Sequence, residues 1–350
     1  MQRVIIEDGL SLYKKTGIGR YSLLLEYLLK DMGYDVEMKR KPFLERINNS
    51  ILKRCLYVLW LNTIFVLKLF FSKTEIIVFP NTITPIIKIP KKKYYPVVHD
   101  LWAYKFPETV TKSQAIYTSF VLFSMRKNYT KILTVSNTVR EELLDFFKCD
   151  ENDVKVVYSY FSFGEKPQVL DKQQEKDKIF RKYGINEKKY ILSVATLNKR
   201  KNIPMLINAF SKIETDYKLV LVGSASSETF SNTNKNIIFT GYISDEELKI
   251  LYKYAKLYVF PSIYEGMGLP TIDAQSLGVP VLCSNIPVFH EIGCDSVIYF
   301  DLNIESLKKN LELIISNDLM QQQLINKGYE NIKRFSIDKI KEQLCFILKE

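Results

Sequence analysis

The chain has 350 residues, 47% of them hydrophobic and 25% charged, with 13 glycines and 12 prolines. That balance excludes a disordered, collagen-like or disulfide-dense protein. At about 150 residues per domain the length predicts two domains, each large enough to bury its own core. The five cysteines (Cys55, Cys149, Cys283, Cys294 and Cys345) are scattered, with no CxxC pair and no histidine cluster beside them. Neither a disulfide framework nor structural zinc is expected, and a reducing cytosol is the expected compartment. The opening MQRVIIEDGL runs straight into a strand-like segment and reads as no signal peptide.

The formal charge of +11 is unevenly placed. Residues 39–140 hold 18 Lys+Arg against 4 Asp+Glu, a balance of +14, so the rest of the chain sums to −3. A basic stretch of this kind favours nucleic acid, acidic lipid or phosphorylated substrates. It also contains the apolar run Cys55–Phe71, 17 residues interrupted by Asn62, Thr63 and Lys68. A membrane-crossing helix needs about 20 largely apolar residues. The run therefore reads as a helix lying in the headgroup interface or partly buried in a core. Lys91, Lys92 and Lys93 would add attraction to anionic lipid.

In chain order the first half predicts strands at Val4–Glu7, Asp35–Met38, Glu75–Phe79, Tyr95–His99, Lys131–Val135 and Val154–Tyr158. Helices are expected at Tyr21–Met32 and Asn137–Phe147, the latter capped by Ser136. The polar stretch Phe163–Lys182 reads as a linker. The pattern then restarts, with strands at Tyr190–Val194, Lys218–Val222, Ile237–Thr240, Leu257–Phe260, Val279–Cys283 and Val297–Phe300. The helices of this half are Ile203–Ile213, Asp245–Tyr254, Thr271–Leu277 and Ile304–Ile315. Alternating strands and helices predict two doubly wound α/β domains, with a ligand near the carboxyl ends of the strands in the cleft between them. The expected domains are 1–165 and 166–335, with a helix over 336–350 packing back on the first.

Four segments follow strands. Thr16-Gly17-Ile18-Gly19-Arg20-Tyr21 opens a helix and reads equally as a tight turn or as a loop whose backbone approaches a phosphate. His99, ending Val97-Val98-His99-Asp100-Leu101, is suited to a sugar hydroxyl or to transition-state charge, though a satisfied core histidine is the commoner case. With His290 it is one of only two histidines, which argues against a His-based metal site. Thr196-Leu197-Asn198-Lys199-Arg200-Lys201-Asn202 puts three cations before a helix, either a pyrophosphate clamp or a solvated basic turn. The segment from Phe260 to Ala274 carries most weight. Glu265 and Asp273 bracket a row of amides from Gly266 to Leu269, and Pro270 suits the first helical turn. Carboxylates accept from sugar and ribose hydroxyls while amides receive phosphate, so one loop is able to hold both halves of a nucleotide sugar.

That segment resembles the signature of family 4 glycosyltransferases of the GT-B type, in which two glutamates are separated by seven residues. FTGYISDEELKILYKYAKLYVFPS, SLGVPVLCSNIPVFHEI, TGIGRY, VHDL, ILTVS and VATLNKRKN match in order, so the likeness spans nearly the whole chain except residues 39–90. It implies two Rossmann-like domains facing each other across a cleft, and transfer of a sugar with retention of anomeric configuration. By position it places Gly17 near the donor phosphate and His99 near the reaction centre. Arg200 and Lys201 fall on the pyrophosphate, and Gly241, Tyr242 and Ile243 at the base. Glu265 faces the transferred sugar, with Gly266, Met267, Gly268 and Leu269 supplying amides. Asp273 stands where the family's second glutamate binds ribose and is one methylene shorter, so a bridging water is expected to complete the contact. Ala195 replaces the glycine usual before the basic segment.

A retaining glycosidase needs a carboxylate nucleophile and a second acid/base carboxylate. Glu265 alone faces the site, which favours front-face substitution with Arg200 and Lys201 stabilising the leaving diphosphate. No DxD ends a strand, so metal independence is expected, with no cofactor. The basic, apolar stretch suits a lipid-linked oligosaccharide acceptor at an anionic membrane surface, as in bacterial O-antigen or capsule assembly. The protein is thus expected to be cytoplasmic and peripheral to the inner face of the membrane. GDP-mannose is the first donor expected, then dTDP-rhamnose and UDP-sugars. The alternatives are a nonhydrolysing sugar-nucleotide epimerase, which would carry more acid/base groups, and a nucleic-acid-binding protein, which would leave the Glu265–Asp273 loop unexplained.

Overall fold

The computed structural model describes residues 2–9, 17–39, 44, 47, 49–81, 83–125, 129–160, 173–195, 199–223 and 234–349. Thr16, Thr196–Asn198 and the first part of the expected linker, 163–172, lie outside the described residues. The chain divides into two compact units, Met1–Tyr160 with Ile337–Glu350, and Phe161–Ser336.

The first unit is a parallel six-stranded sheet in the order β2-β1-β3-β4-β5-β6. Its strands are β1 (Arg3–Ile6), β2 (Asp35–Met38), β3 (Ile76–Phe79), β4 (Lys93–Val98), β5 (Ile132–Thr134) and β6 (Val154–Val156). The second has the order β12-β11-β10-β7-β8-β9, again all parallel. Its strands are β7 (Tyr190–Val194), β8 (Lys218–Val222), β9 (Ile237–Gly241), β10 (Leu257–Phe260), β11 (Val281–Ser284) and β12 (Ile298–Phe300). Central strands such as IIVF (β3) and LYVF (β10) are apolar and buried throughout, as parallel strands covered on both faces must be. The strand order reverses between β1 and β3 in the first unit and between β7 and β10 in the second. Ligands of doubly wound sheets bind at the carboxyl ends of the strands at such reversals.

Helices lie where apolar spacing and caps predict them. Gly17–Asp31 buries Tyr21, Ser22, Leu25, Leu28 and Leu29, a stripe at three- and four-residue intervals. Asn137–Phe147 starts on the Ser136 hydroxyl, which accepts from the Val139 amide at 3.2 Å, and ends at left-handed Lys148. The last helix, Ile337–Lys349, belongs to the first unit. There its Gln343 side chain accepts the Tyr158 amide at 3.2 Å, and Lys341 pairs with Asp31.

Three expectations are corrected. The linker stretch is helical over Gln173–Tyr183, because its Gln, Glu and Lys residues are good helix formers and Ile179 gives them a buried anchor. The apolar run is longer than its sequence count: after Asn49, whose side chain accepts from the Ile51 and Leu52 amides at 3.0 Å, helix continues through Ser50–Trp60, the π-helical Leu61–Phe65 and Val66–Phe71. Helices over Lys112–Met125, Pro287–Gly293 and Asp318–Ile332 carry no sharp apolar periodicity in the sequence and are added by the structure. Strand ends move by one or two residues; the β11 strand starts at Val281, after Pro280, and β4 stops at Val98, leaving His99 just beyond it.

Candidate functional site

The described site groups sit past the carboxyl ends of strands, and each unit is built around its own order reversal. In the second unit the reversal brings together the turn after β7 and the loop after β10. Lys199–Lys201 forms a single 3₁₀ turn, followed by left-handed Asn202 and the helix Ile203–Ser211 with a proline in its first turn. The Ile263 amide donates to the Arg200 carbonyl at 2.9 Å and ties the two segments together. Lys201 then extends across to Glu265, with Nζ 2.5 Å from Oε1, the two side chains only 12% and 8% exposed. The ammonium also lies 4.9 Å from the centre of the Phe260 ring. Burial alone would push the Glu265 carboxyl up, but the charges of Lys201 and Arg200 hold it below the usual carboxylate range. It is ionised at neutral pH.

Past Glu265 the chain crosses Gly266 and Met267 to Gly268, whose φ of +80° opens the helix Leu269–Ser276. No side chain caps this helix; Pro270 has no N–H and the Thr271 amide donates to the Gly268 carbonyl at 2.9 Å, so the Leu269 amide is the first-turn donor left to receive an anion. A Cβ on Gly268 would stand 2.6 Å from the Phe289 ring, and Phe289 packs on Phe260 at 5.1 Å between centroids. Two buried rings therefore fix both the lysine and the turn. Asp273 is buried in the same helix at 5% exposure; burial pushes the Tyr258 hydroxyl up, and the charges of Glu265 and Asp273 add to that. Gly241 ends β9 at φ +69°, bridged to Gly223 after β8. Beside it Tyr242 is 68% exposed and Ile243 is buried. Arg200, Lys201, Gly241, Tyr242, Ile243 and Glu265 through Leu269 thus lie along one carboxyl edge of one sheet.

The first unit gathers His99 and Gly17 at its own sheet. Nε2 of His99 donates to the Pro80 carbonyl at 2.8 Å, since a carbonyl can only accept. Nδ1 is then the nitrogen left to accept a proton. Burial pushes the imidazole below its ordinary value, against the pull of the Pro80 carbonyl and Asp100, and Tyr21 meets the ring edge-on at 5.2 Å. Gly17 is the first residue of its helix, and a Cβ there would meet nothing within 4 Å, so packing does not require glycine.

Sequence reasoning missed Glu7, Asp8 and Tyr57. Glu7 and Asp8 are buried just past β1, and Glu7 accepts from the Tyr57 hydroxyl at 3.2 Å and from the Gly9 amide at 3.1 Å. Their signal was available as two acids ending the first strand beside the reversal. It missed Phe260 and Phe289 as well, because buried aromatics in a strand and a short helix read as ordinary core. Among the described residues no group of three His, Cys, Asp or Glu is placed to hold a metal.

Two parallel doubly wound sheets with these strand-end loops define the GT-B fold. Residues 175–331 match the family described as glycosyl transferases group 1. It is 27% identical over 255 residues to the O-antigen chain mannosyltransferase RfbU of Salmonella typhimurium, a match covering 71% of this chain and 67% of that one. It is 28% identical over 251 residues to the O-antigen chain mannosyltransferase B of Escherichia coli, covering 68% of this chain and 65% of the relative. The match thus spans about two thirds of each relative's length. Sucrose-phosphate synthase from Thermosynechococcus elongatus shares the fold with a TM-score of 0.77 at 17% identity, over 100% of this chain and 98% of that one.

Proposed function

We propose that the protein is a retaining, metal-independent hexosyltransferase that moves a sugar from a nucleotide-diphosphate donor to a lipid-linked glycan acceptor during O-antigen or capsule assembly. The observation that carries the reading is the buried Lys201–Glu265 pair at the reversal of the second sheet, beside an uncapped helix start. Arg200 and Lys201 receive the diphosphate and take up the negative charge that grows on it as the sugar leaves. Stabilisation of developing charge of this kind is often the largest single catalytic contribution. Gly17 adds backbone to the phosphate side. Gly241, Tyr242 and Ile243 hold the base, Asp273 the ribose, and Gly266, Met267, Gly268 and Leu269 the sugar oxygens.

Glu265 is held ionised by Lys201 and binds sugar hydroxyls, and His99, neutral at pH 7, accepts a hydroxyl at Nδ1. The bond from the anomeric carbon to the diphosphate oxygen breaks on the face where the acceptor oxygen bonds, and the leaving phosphate takes the acceptor's proton. The two O-antigen chain mannosyltransferases to which the chain is similar support mannose as the transferred sugar, and GDP-mannose is the donor proposed first. A cytosolic nucleotide sugar and a lipid-borne acceptor put the reaction at the inner face of a membrane.

The test is transfer from labelled GDP-mannose, dTDP-rhamnose and UDP-sugars to a lipid-diphosphate glycan, with and without EDTA, the product's anomeric proton read by NMR. Transfer from one donor, insensitive to EDTA and with the donor's configuration kept, is expected. An inverted product, or activity only with added divalent metal, overturns the mechanism. Turnover of a UDP-sugar without any acceptor overturns the transfer itself.

A further inference from the structure

We propose that the helical segment 51–71, with the neighbouring helix Lys112–Met125 and the Ile86–Ile87 corner, is a bilayer-insertion face that docks the first unit on anionic lipid without spanning it. Tyr57, Leu61, Phe65 and Leu69 are buried to within 1% in the core of the first unit. A four-residue step on an ideal α-helix drifts by about 40° each turn. The π-helical Leu61–Phe65 turn, wider than an α turn, offsets that drift and keeps the buried stripe straight along the sheet. The opposite side is also apolar: Leu52, Leu59, Leu67 and Phe71 are 51%, 59%, 60% and 77% exposed.

The neighbouring segments continue this surface. Arg54 stacks on Tyr117 of helix Lys112–Met125 at 5.3 Å, and that helix exposes Ile116 and Phe123 at 71% and 74%. Asn62 accepts the Ile86 amide at 2.7 Å, placing exposed Ile86 and Ile87 alongside. Of the 23 large hydrophobics exposed among the described residues, 13 fall between Ile51 and Phe123, so the exposure is a patch and not scatter.

Charge selects the occupant. From residue 50 to 99 there are eight Lys+Arg (Lys53, Arg54, Lys68, Lys73, Lys88 and Lys91–Lys93) against one acid, Glu75. A second copy of this chain would bring this cationic stretch against itself, whereas an anionic headgroup layer complements it. The segment Ile51–Phe71 is long and apolar enough to cross a bilayer. Crossing would, however, pull four core side chains and the Tyr57–Glu7 bond out of the first unit, so the helix lies in the interface.

The test is co-sedimentation of the full chain with vesicles of phosphatidylcholine alone or mixed with phosphatidylglycerol, at low and high salt. Binding at least about tenfold tighter to the anionic vesicles, weakened by salt and released by alkaline carbonate, is expected. Leu67→Gln with Phe71→Gln, and separately Phe123→Gln, should each lower partitioning about tenfold or more while the melting temperature stays put, as these side chains are exposed. Equal binding by these variants, no preference for anionic lipid, retention after carbonate, or a dimer that the variants dissolve would each overturn the proposal. Vesicle binding needs no turnover, and a short water-soluble acceptor reports on transfer alone, so a failure of either reading is seen separately.

Discussion

The Lys201–Glu265 pair concentrates what single residues do here. Neither side chain is left to water, so each is the other's compensation, with the Phe260 ring beneath the ammonium and Arg200 acting on the carboxylate. Breaking a buried pair from one side leaves an uncompensated charge and costs about 3–5 kcal/mol, while removing both partners is often close to neutral. Glu265→Gln should therefore destabilise by about 3–5 kcal/mol, because Lys201 keeps its charge beside a neutral amide. Lys201→Met should cost less, about 1–3 kcal/mol, because Arg200 still acts on Glu265.

The double variant should regain most of that stability in a melting curve, with turnover still down at least about hundredfold. A stable double variant with ordinary turnover would remove the pair from the chemistry. Both residues were legible in the sequence as members of strand-end segments. Their mutual contact was not, because it joins positions 64 apart through the reversal of strand order.

At the scale of elements, two glycines assigned to donor contact, Gly17 on the phosphate side and Gly268 on the sugar side, stand in opposite situations. Gly268 needs its left-handed φ of +80°, and a methyl there would strike Phe289, itself fixed against Phe260. Gly268→Ala should cost about 2–4 kcal/mol from strain and overpacking together. Gly17 starts a helix with open space at its Cβ. Gly17→Ala should leave the melting temperature unchanged or slightly raised, and yet increase KM for the donor, if the backbone at this turn meets phosphate. An unchanged KM would make the residue a plain helix start.

The regular elements were the legible part of the fold. Strand cores such as IIVF and LYVF and helices with a single apolar stripe announce themselves by period. Helix 112–125 did not, because it is apolar on the exposed side as well as the buried one, and that loss of period is itself the mark of its surface role. The stretch Gln173–Tyr183 reads as linker because it is polar and charged, although Ile179 anchors it as a helix.

The molecule as a whole separates its charge. The stretch 39–140 carries +14 and the remainder −3. The donor groups assigned to the second unit, apart from Lys201 and its neighbours, are backbone amides and carboxylates. Binding there should accordingly depend on the nucleotide more than on bulk salt. A nucleoside diphosphate at 100 times its dissociation constant should stabilise the protein by about 2.7 kcal/mol. GDP should raise the melting temperature above UDP, dTDP, CDP and ADP, with EDTA making no difference. A flat response to all five would leave the second sheet's reversal without its ligand.

The helix Ile337–Lys349 has a consequence in time. It is the last described element in sequence, yet it buries Ile340, Leu344, Ile347 and Leu348 in the unit begun by the first strand. Between Tyr160 and Ile337 the ribosome must add 176 residues, which at roughly 5–20 residues per second takes about 10–35 seconds. During that interval the earlier-made unit waits with one apolar flank uncovered, while the later-made unit is able to close on its own. The half synthesised first is the half completed last.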